Sequence, residues 1–246
     1  MLSQLPEGFT AVVTGAGGGI GAAVVQALLA SSRPGRVIAV SRRPQALEDP
    51  RAASLTADLT QEDGRDRLVA ALEGAPLHLL FNTIGTLHDA ELGIHPEKKL
   101  DDLDAAALTH LFQVNAVTPA LLLQALQPGL KGRHPALVAS LSARVGSIED
   151  NRLGGWYAYR ASKAAHNMLM KTAAVELRRL NPSLTVACLH PGTTDTELSR
   201  PFQARVPQGK LFSAAFVAER LLEVLGQRPL GDGPSFHDWA GEPVPW

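Results

Sequence analysis

Short apolar runs rich in β-branched residues alternate along the chain with longer stretches whose apolar positions recur at helical spacing. Residues 9–14, 36–40, 77–82, 135–140 and 184–189 read as strands, with a shorter one at 54–56. Helical spacing marks 19–31, 63–73, 101–126, 155–180 and 213–225, and Asp101 or Asp102 can serve as N-cap of the third of these. Strands apolar throughout, with a helix after nearly every one, predict an α/β fold: one domain built on a doubly wound parallel sheet with helices on both faces. Three segments break the alternation. Residues 41–53 contain Pro44 and Pro50 and have room only for a stunted helix, and 86–100 is irregular and polar. Residues 198–210, rich in Pro, Gln and Arg, follow a late strand and are placed to act as a substrate lid, because such sheets bind ligands beyond the carboxyl ends of their strands.

Composition narrows the partners. With 23 basic and 24 acidic side chains among 246 residues, nothing favours nucleic acid or an anionic membrane surface. No window approaches the roughly 20 apolar residues of a membrane helix, and a cytoplasmic chain is the expectation. The single cysteine, Cys188, excludes an internal disulfide, suits a reducing compartment and lies in an apolar strand where packing is its expected role. The histidines show no metal-ligand spacing, so no metal is expected, and no nucleophile elbow G-x-S-x-G is present. His190 reads as a loop or supporting residue rather than a base. Trp239 and Trp246 stand in a proline-rich tail that either packs on the body or joins an interface.

Chemistry enters with Thr14-Gly15-Ala16-Gly17-Gly18-Gly19-Ile20-Gly21, which follows the first strand and opens the first helix. Gly15, Gly19 and Gly21 let the backbone approach a pyrophosphate while the helix N-terminus offers its N–H groups. The second strand then ends at Ser41-Arg42-Arg43 rather than at the acidic residue that grips an unphosphorylated ribose. Two guanidiniums suit a 2′-phosphate, so NADP(H) is favoured over NAD(H). Further on, Trp156-Tyr157-Ala158-Tyr159-Arg160-Ala161-Ser162-Lys163 carries two tyrosines and one lysine. Four residues separate Tyr159 from Lys163, which puts them on one helix face; Tyr157 lies six away, nearly opposite. An ammonium beside a phenol favours the phenolate and lowers its pKa toward working pH. Tyr157 is left to packing or, with Trp156, to an aromatic wall of the substrate pocket.

The glycine motif, the Tyr-x-x-x-Lys pair and the strand order resemble the short-chain dehydrogenase/reductase family over nearly the whole chain. The segments 142–148, 150–151, 154–157 and 159–163 resemble its C-factor-like branch. The resemblance implies a Rossmann-type fold and hydride transfer between a nicotinamide and a small-molecule carbonyl or alcohol, with Tyr159 as acid/base and Lys163 beside it and on the nicotinamide ribose. It implies a substrate-contacting serine at the end of the fifth strand, where Ser140 and Ser142 both stand and the alignment favours Ser142. Asn115 matches the helix asparagine that holds a relay water. Asp58 matches an adenine contact, with a helix cap as its alternative or additional role. Ile20 matches a residue near the nicotinamide, and Pro191, Gly192 and Thr196 the carboxamide segment. Asn82 and Gly85 survive from a motif in which Ile84 replaces a smaller residue, and 146–155 forms a longer loop than usual. A homodimer or homotetramer through the helices of Asn115 and Tyr159 is also implied. The rival expectation is a dinucleotide-binding signalling or regulatory protein with little turnover.

Overall fold

The computed structural model describes residues 1–246. Its first half runs β1 (Phe9–Thr14), α1 (Gly19–Leu29), β2 (Pro34–Ser41), β3 (Ala52–Thr56), α2 (Glu62–Ala71), β4 (Leu79–Asn82), α3 (Ala105–Phe112) and α4 (Thr118–Leu130). The second continues through β5 (Ala136–Leu141), α5 (Tyr157–Leu180), β6 (Leu184–His190), β7 (Thr193–Thr194), β8 (Leu211–Phe212), α6 (Ala214–Gly226) and β9 (Ser235–Asp238). Seven strands form one sheet in the order β3-β2-β1-β4-β5-β6-β9, every pair parallel. β1, β4 and β5 are buried at every position, which follows from helices covering both faces. Successive side chains alternate between those faces. Ala11, Val13, Phe81, Ala139 and Leu189 pack with α1 and α6, whereas Val12, Leu80, Val138, Val186 and Cys188 pack with helices α2, α4 and α5. Strand order reverses at β1 and β4, and the crevice beyond their carboxyl ends is where this architecture binds ligands.

Several expectations need correction. The third helix does not start at Asp101 or Asp102. Asp104 is its N-cap, accepting from the Ala107 N–H at 2.7 Å, while the Asp102 carboxyl accepts from the N–H groups of Lys98 and Lys99. Three neighbouring aspartates all satisfy a capping pattern, and the chain selects the one nearest the apolar face. The helical stretch then runs to Leu130, interrupted by a π-turn at Gln113–Val117. Taken together, 105–130 is long and apolar enough by length and composition to cross a membrane, contrary to expectation. Its apolarity is explained by packing: Leu111, Leu122, Leu123, Leu126 and Leu130 are buried in the body. No helix forms in 42–51, where the two prolines keep the chain irregular. β9 was not expected; Ser-Phe-His-Asp is too polar to read as a strand, and it forms by adding to the β6 edge. The tail packs on the body, Trp239 against Phe212 at 4.5 Å and Trp246 against Phe236 at 5.8 Å.

Candidate active site

The glycine turn closes tightly. Gly15 has φ +73°, a Cβ on it would stand 2.5 Å from Thr83 Oγ1, and one on Gly21 would stand 2.3 Å from the Gly15 carbonyl oxygen. The N-cap of α1, Gly18, makes no side-chain capping bond, and the first turn holds no acidic residue. Its N–H groups and the positive end of the helix are thus free to meet an anion. A Cβ on Gly19 would meet Thr196 Cγ2 at 2.7 Å, so the segment after β6 lies over this turn, with Pro191 and Gly192 leading into it. Ile20 packs beside the core that α1 shares with α6. Arg42 and Arg43 are exposed just past β2. The residues present therefore fit a phosphorylated dinucleotide: an unblocked helix end, a cradle that a Cβ would fill, and two exposed guanidiniums at the next strand end.

Two residues expected to meet the cofactor also make structural bonds within the chain. Asn82 is buried: Oδ1 accepts from Thr14 Oγ1 at 2.6 Å and from the Ile84 N–H at 3.3 Å, and Nδ2 donates to Ser140 Oγ at 2.8 Å. It clamps the carboxyl ends of β1, β4 and β5 together. Asp58 closes its own turn, accepting from the Thr60 N–H at 3.0 Å and Thr60 Oγ1 at 2.8 Å, and it is not a helix N-cap, since that position of α2 is Gln61.

On the buried face of α5 stand Tyr159, Ser162, Lys163, His166 and Asn167. Lys163 Nζ donates to the Leu141 carbonyl at 3.0 Å and lies 5.9 Å from the centre of the Tyr159 ring. A Cβ on Gly85 would come within 3.2 Å of that ammonium and 3.4 Å of Asn115 Oδ1, so the absence of a side chain at Gly85 keeps open the space that both face. Asn115 is fully buried. Its Oδ1 accepts from the Thr86 N–H at 2.7 Å, and its Nδ2 donates to the Thr86 carbonyl at 2.8 Å and to Ser162 Oγ at 3.0 Å. Burial pushes the Tyr159 phenol well above its ordinary range and the Lys163 ammonium down to about 8. The expected lowering of the phenol by lysine is therefore not met in the chain alone: desolvation governs both groups, and the ammonium is drawn toward Leu141.

Of the two serines, Ser140 is consumed by the Asn82 clamp, while Ser142 lies one residue past β5 and donates to Asn167 Oδ1 at 2.6 Å. Tyr159 shares an apolar cluster with Leu87, Ile94, Leu111, Ala143 and Ala158, against which Trp156, Leu198 and Phe202 pack. The Trp156 ring lies 4.9 Å from Phe202 and 6.3 Å from Tyr159, and His88 Nε2 is 3.2 Å from the Leu198 carbonyl oxygen. The segment from 198 is thus seated against α5; of the expected aromatic wall, Trp156 takes part in this cluster and Tyr157 does not. The long loop is anchored by Arg160, which donates to the Gly154 and Gly155 carbonyls, and by Arg144, paired with Asp150 at 3.5 Å and Asp238 at 2.9 Å. His190 ends β6 beside that pair; burial and the Arg144 charge push its pKa down to about 4, so it stands neutral as a supporting residue.

Sequence reasoning missed Glu97, which is buried and caps α5 from 61 residues away. Its carboxyl accepts from the Ala158 N–H at 3.3 Å, and its carbonyl accepts from the Trp156 N–H at 2.5 Å. It also missed Asn167 and His166, buried polar residues inside the helical stripe, whose 3–4 residue spacing from Lys163 was the available signal.

A family model described as "short chain dehydrogenase" matches residues 9–206. The "C-signal" protein of Myxococcus xanthus is 35% identical over 148 residues, covering 60% of this chain and 83% of the relative. The NADPH-bound carbonyl reductase from chicken fatty liver superposes with a TM-score of 0.84 at 26% identity, covering 98% of this chain and 95% of that one. A carbonyl reductase from Pseudomonas aeruginosa PAO1 in complex with NADP gives a TM-score of 0.75 at 25% identity, covering 97% and 100%.

Proposed function

The chain belongs to the short-chain dehydrogenase/reductase family, in its C-factor-like branch, and from that premise we propose that it interconverts a small-molecule carbonyl and alcohol with NADP(H), using Tyr159 as acid/base. The observation that carries this is the juxtaposition on one buried helix face of Tyr159 and Lys163, with Gly85 leaving open a space that Lys163 and Asn115 both face. When bound, the dihydronicotinamide supplies the hydride. The glycine turn and the α1 N-terminus hold the pyrophosphate, Arg42 and Arg43 pair with the 2′-phosphate, and Asp58 stands at the adenine rim. Ser142 turns from Asn167 toward the carbonyl oxygen, and Tyr159 gives that oxygen its proton. Lys163, ammonium below about pH 8, holds positive charge beside the phenol and lowers the cost of the phenolate left behind. Asn115 shapes the relay that restores the proton. Segment 198–210 covers the substrate, with Trp156 and Phe202 as its apolar wall.

The balanced charge and the buried lone cysteine support a cytoplasmic enzyme. Met168 and Val175, 65% and 52% exposed on the outer side of α5, support a homodimer or homotetramer through α4 and α5. The resemblance to C-signal keeps a second reading, a dinucleotide-binding signalling protein with little turnover. Oxidation of NADPH and of NADH against a panel of aldehydes and ketones separates the two. The proposed function predicts turnover, faster with NADPH; tight NADPH binding without turnover on any of them supports the second reading instead.

A further inference from the structure

His166 is fully buried, and neither of its ring nitrogens has a hydrogen-bond partner. Its polar neighbours on the same face of α5 each have at least one partner: Ser162 has Asn115 and the Tyr159 carbonyl, Lys163 the Leu141 carbonyl, Asn167 Ser142. Buried polar atoms are nearly always paired, so an imidazole orphaned at both ends marks a place where a small polar group is missing from the protein's own inventory.

The surroundings say what that group bridges. His166 lies three residues after Lys163 and seven after Tyr159, on the stripe that faces the site. From the neighbouring element it meets the backbone of Asn115, inside the π-turn Gln113–Val117. An α-helical partner for the Asn115 carbonyl would be the N–H of residue 119, but residue 119 is Pro119, which has none. That carbonyl therefore lacks its α-helical donor. Burial first, and the Lys163 ammonium second, push the His166 pKa down to about 3, while the Asn115 carbonyl opposes them. The ring is neutral at working pH and so carries one donor and one acceptor nitrogen.

We propose that His166 is a positioning residue of the proton relay, its ring N–H turned to the Asn115 carbonyl and its other nitrogen accepting from a water shared with Lys163. The ring makes and breaks no bond in the substrate. It holds in one orientation the water that passes a proton to Lys163 as Lys163 restores Tyr159. A leucine would fill the same space and hold nothing. This rests on the acid/base reading of Tyr159.

The test compares the full-length chain with His166→Leu and His166→Gln. In His166→Leu, NADPH affinity stays within twofold and kcat falls about tenfold, less than the hundredfold or more of a direct proton-transfer group. The solvent deuterium isotope effect on kcat rises, because relay becomes limiting, and His166→Gln, which keeps a donor and an acceptor, recovers most of the rate. Unchanged kcat and isotope effect in His166→Leu overturn the proposal, as does a lower rate with no change in isotope effect and no recovery by glutamine. A second measurement needs no turnover: the nitrogen resonances of 15N-histidine-labelled protein, assigned by the signal lost in His166→Gln. A single neutral tautomer with a slowly exchanging N–H supports the proposal, and averaged tautomers overturn it. Should the wild-type chain reduce no carbonyl, the function proposed above fails, and the resonances alone decide whether His166 is held as described.

Discussion

Ser140 and Ser142 are two residues apart on the same side of β5, and their hydrogen bonds separate their roles. Ser140 completes the clamp with Asn82 and Thr14, so Ser140→Ala strands a buried amide and costs about 1–3 kcal/mol of stability. Ser142 stands beyond the strand, and as the donor proposed for the carbonyl oxygen its replacement in Ser142→Ala should lower kcat by roughly a hundredfold. Urea unfolding and steady-state kinetics on the two variants check this; the larger kinetic loss in Ser140→Ala contradicts the assignment. The Tyr159–Lys163 pair and the glycine turn were legible in the sequence because their signals are local: a four-residue spacing and a run of residues without Cβ. Asn82 was legible as a position but not as a clamp, since its partners Thr14 and Ser140 come from other strands. His166 was passed over because an isolated histidine carries no spacing signal of its own; only its place in the stripe 159, 162, 163, 166 and the proline at 119 point to it.

At the scale of elements, the catalytic helix has no capping side chain of its own. Trp156, its N-cap, is in the left-handed region at φ +52°, a conformation that costs a bulky residue free energy. Glu97 compensates from the irregular stretch before α3: its carboxyl accepts from the Ala158 N–H and its backbone carbonyl from the Trp156 N–H. Glu97→Ala should cost about 1–2 kcal/mol, as lost caps do, and raise KM more than it lowers kcat, because freeing the Ala158 N–H loosens the first turn of α5 next to Trp156 while the backbone bond to Trp156 and the phenol stay in place. Glu97→Gln, which keeps an acceptor, should retain most of both. An unchanged KM in Glu97→Ala contradicts this account. The sequence displays such strands as 9–14 and 135–140 plainly because both faces are covered. It conceals the Glu97 cap because 61 residues separate the partners, and it conceals β9 because a polar edge strand exists only once β6 is beside it.

For the molecule as a whole, burying ionisable groups to build this site makes stability depend on pH. The unfolded chain protonates His166 near its ordinary 6.5, whereas in the folded chain burial first and the Lys163 charge second delay this to about 3, opposed by the Asn115 backbone. Above pH 6.5 the ring is neutral in both states and this stability is fully present. As pH falls below 6.5 the unfolded state takes up the proton first, and stability is lost until the folded ring titrates near 3, at up to about 1.4 kcal/mol per unit. Between pH 7 and pH 5 the wild-type chain should therefore lose about 2 kcal/mol more than His166→Leu, measured by urea unfolding at each pH; parallel losses contradict it. The doubly wound sheet was legible from the alternation of elements, whereas the seating of 198–205 on Trp156 and the tail on β9 arise from tertiary packing that no local pattern encodes. The proposed function rests on one phenol and one lysine 5.9 Å from its ring, on a single buried helix face. Tyr159→Phe removes a single oxygen atom from that phenol. The account predicts that this variant binds NADPH as the wild type does, by fluorescence titration, while carbonyl reduction falls by at least about a hundredfold; near-wild-type turnover would contradict the central claim.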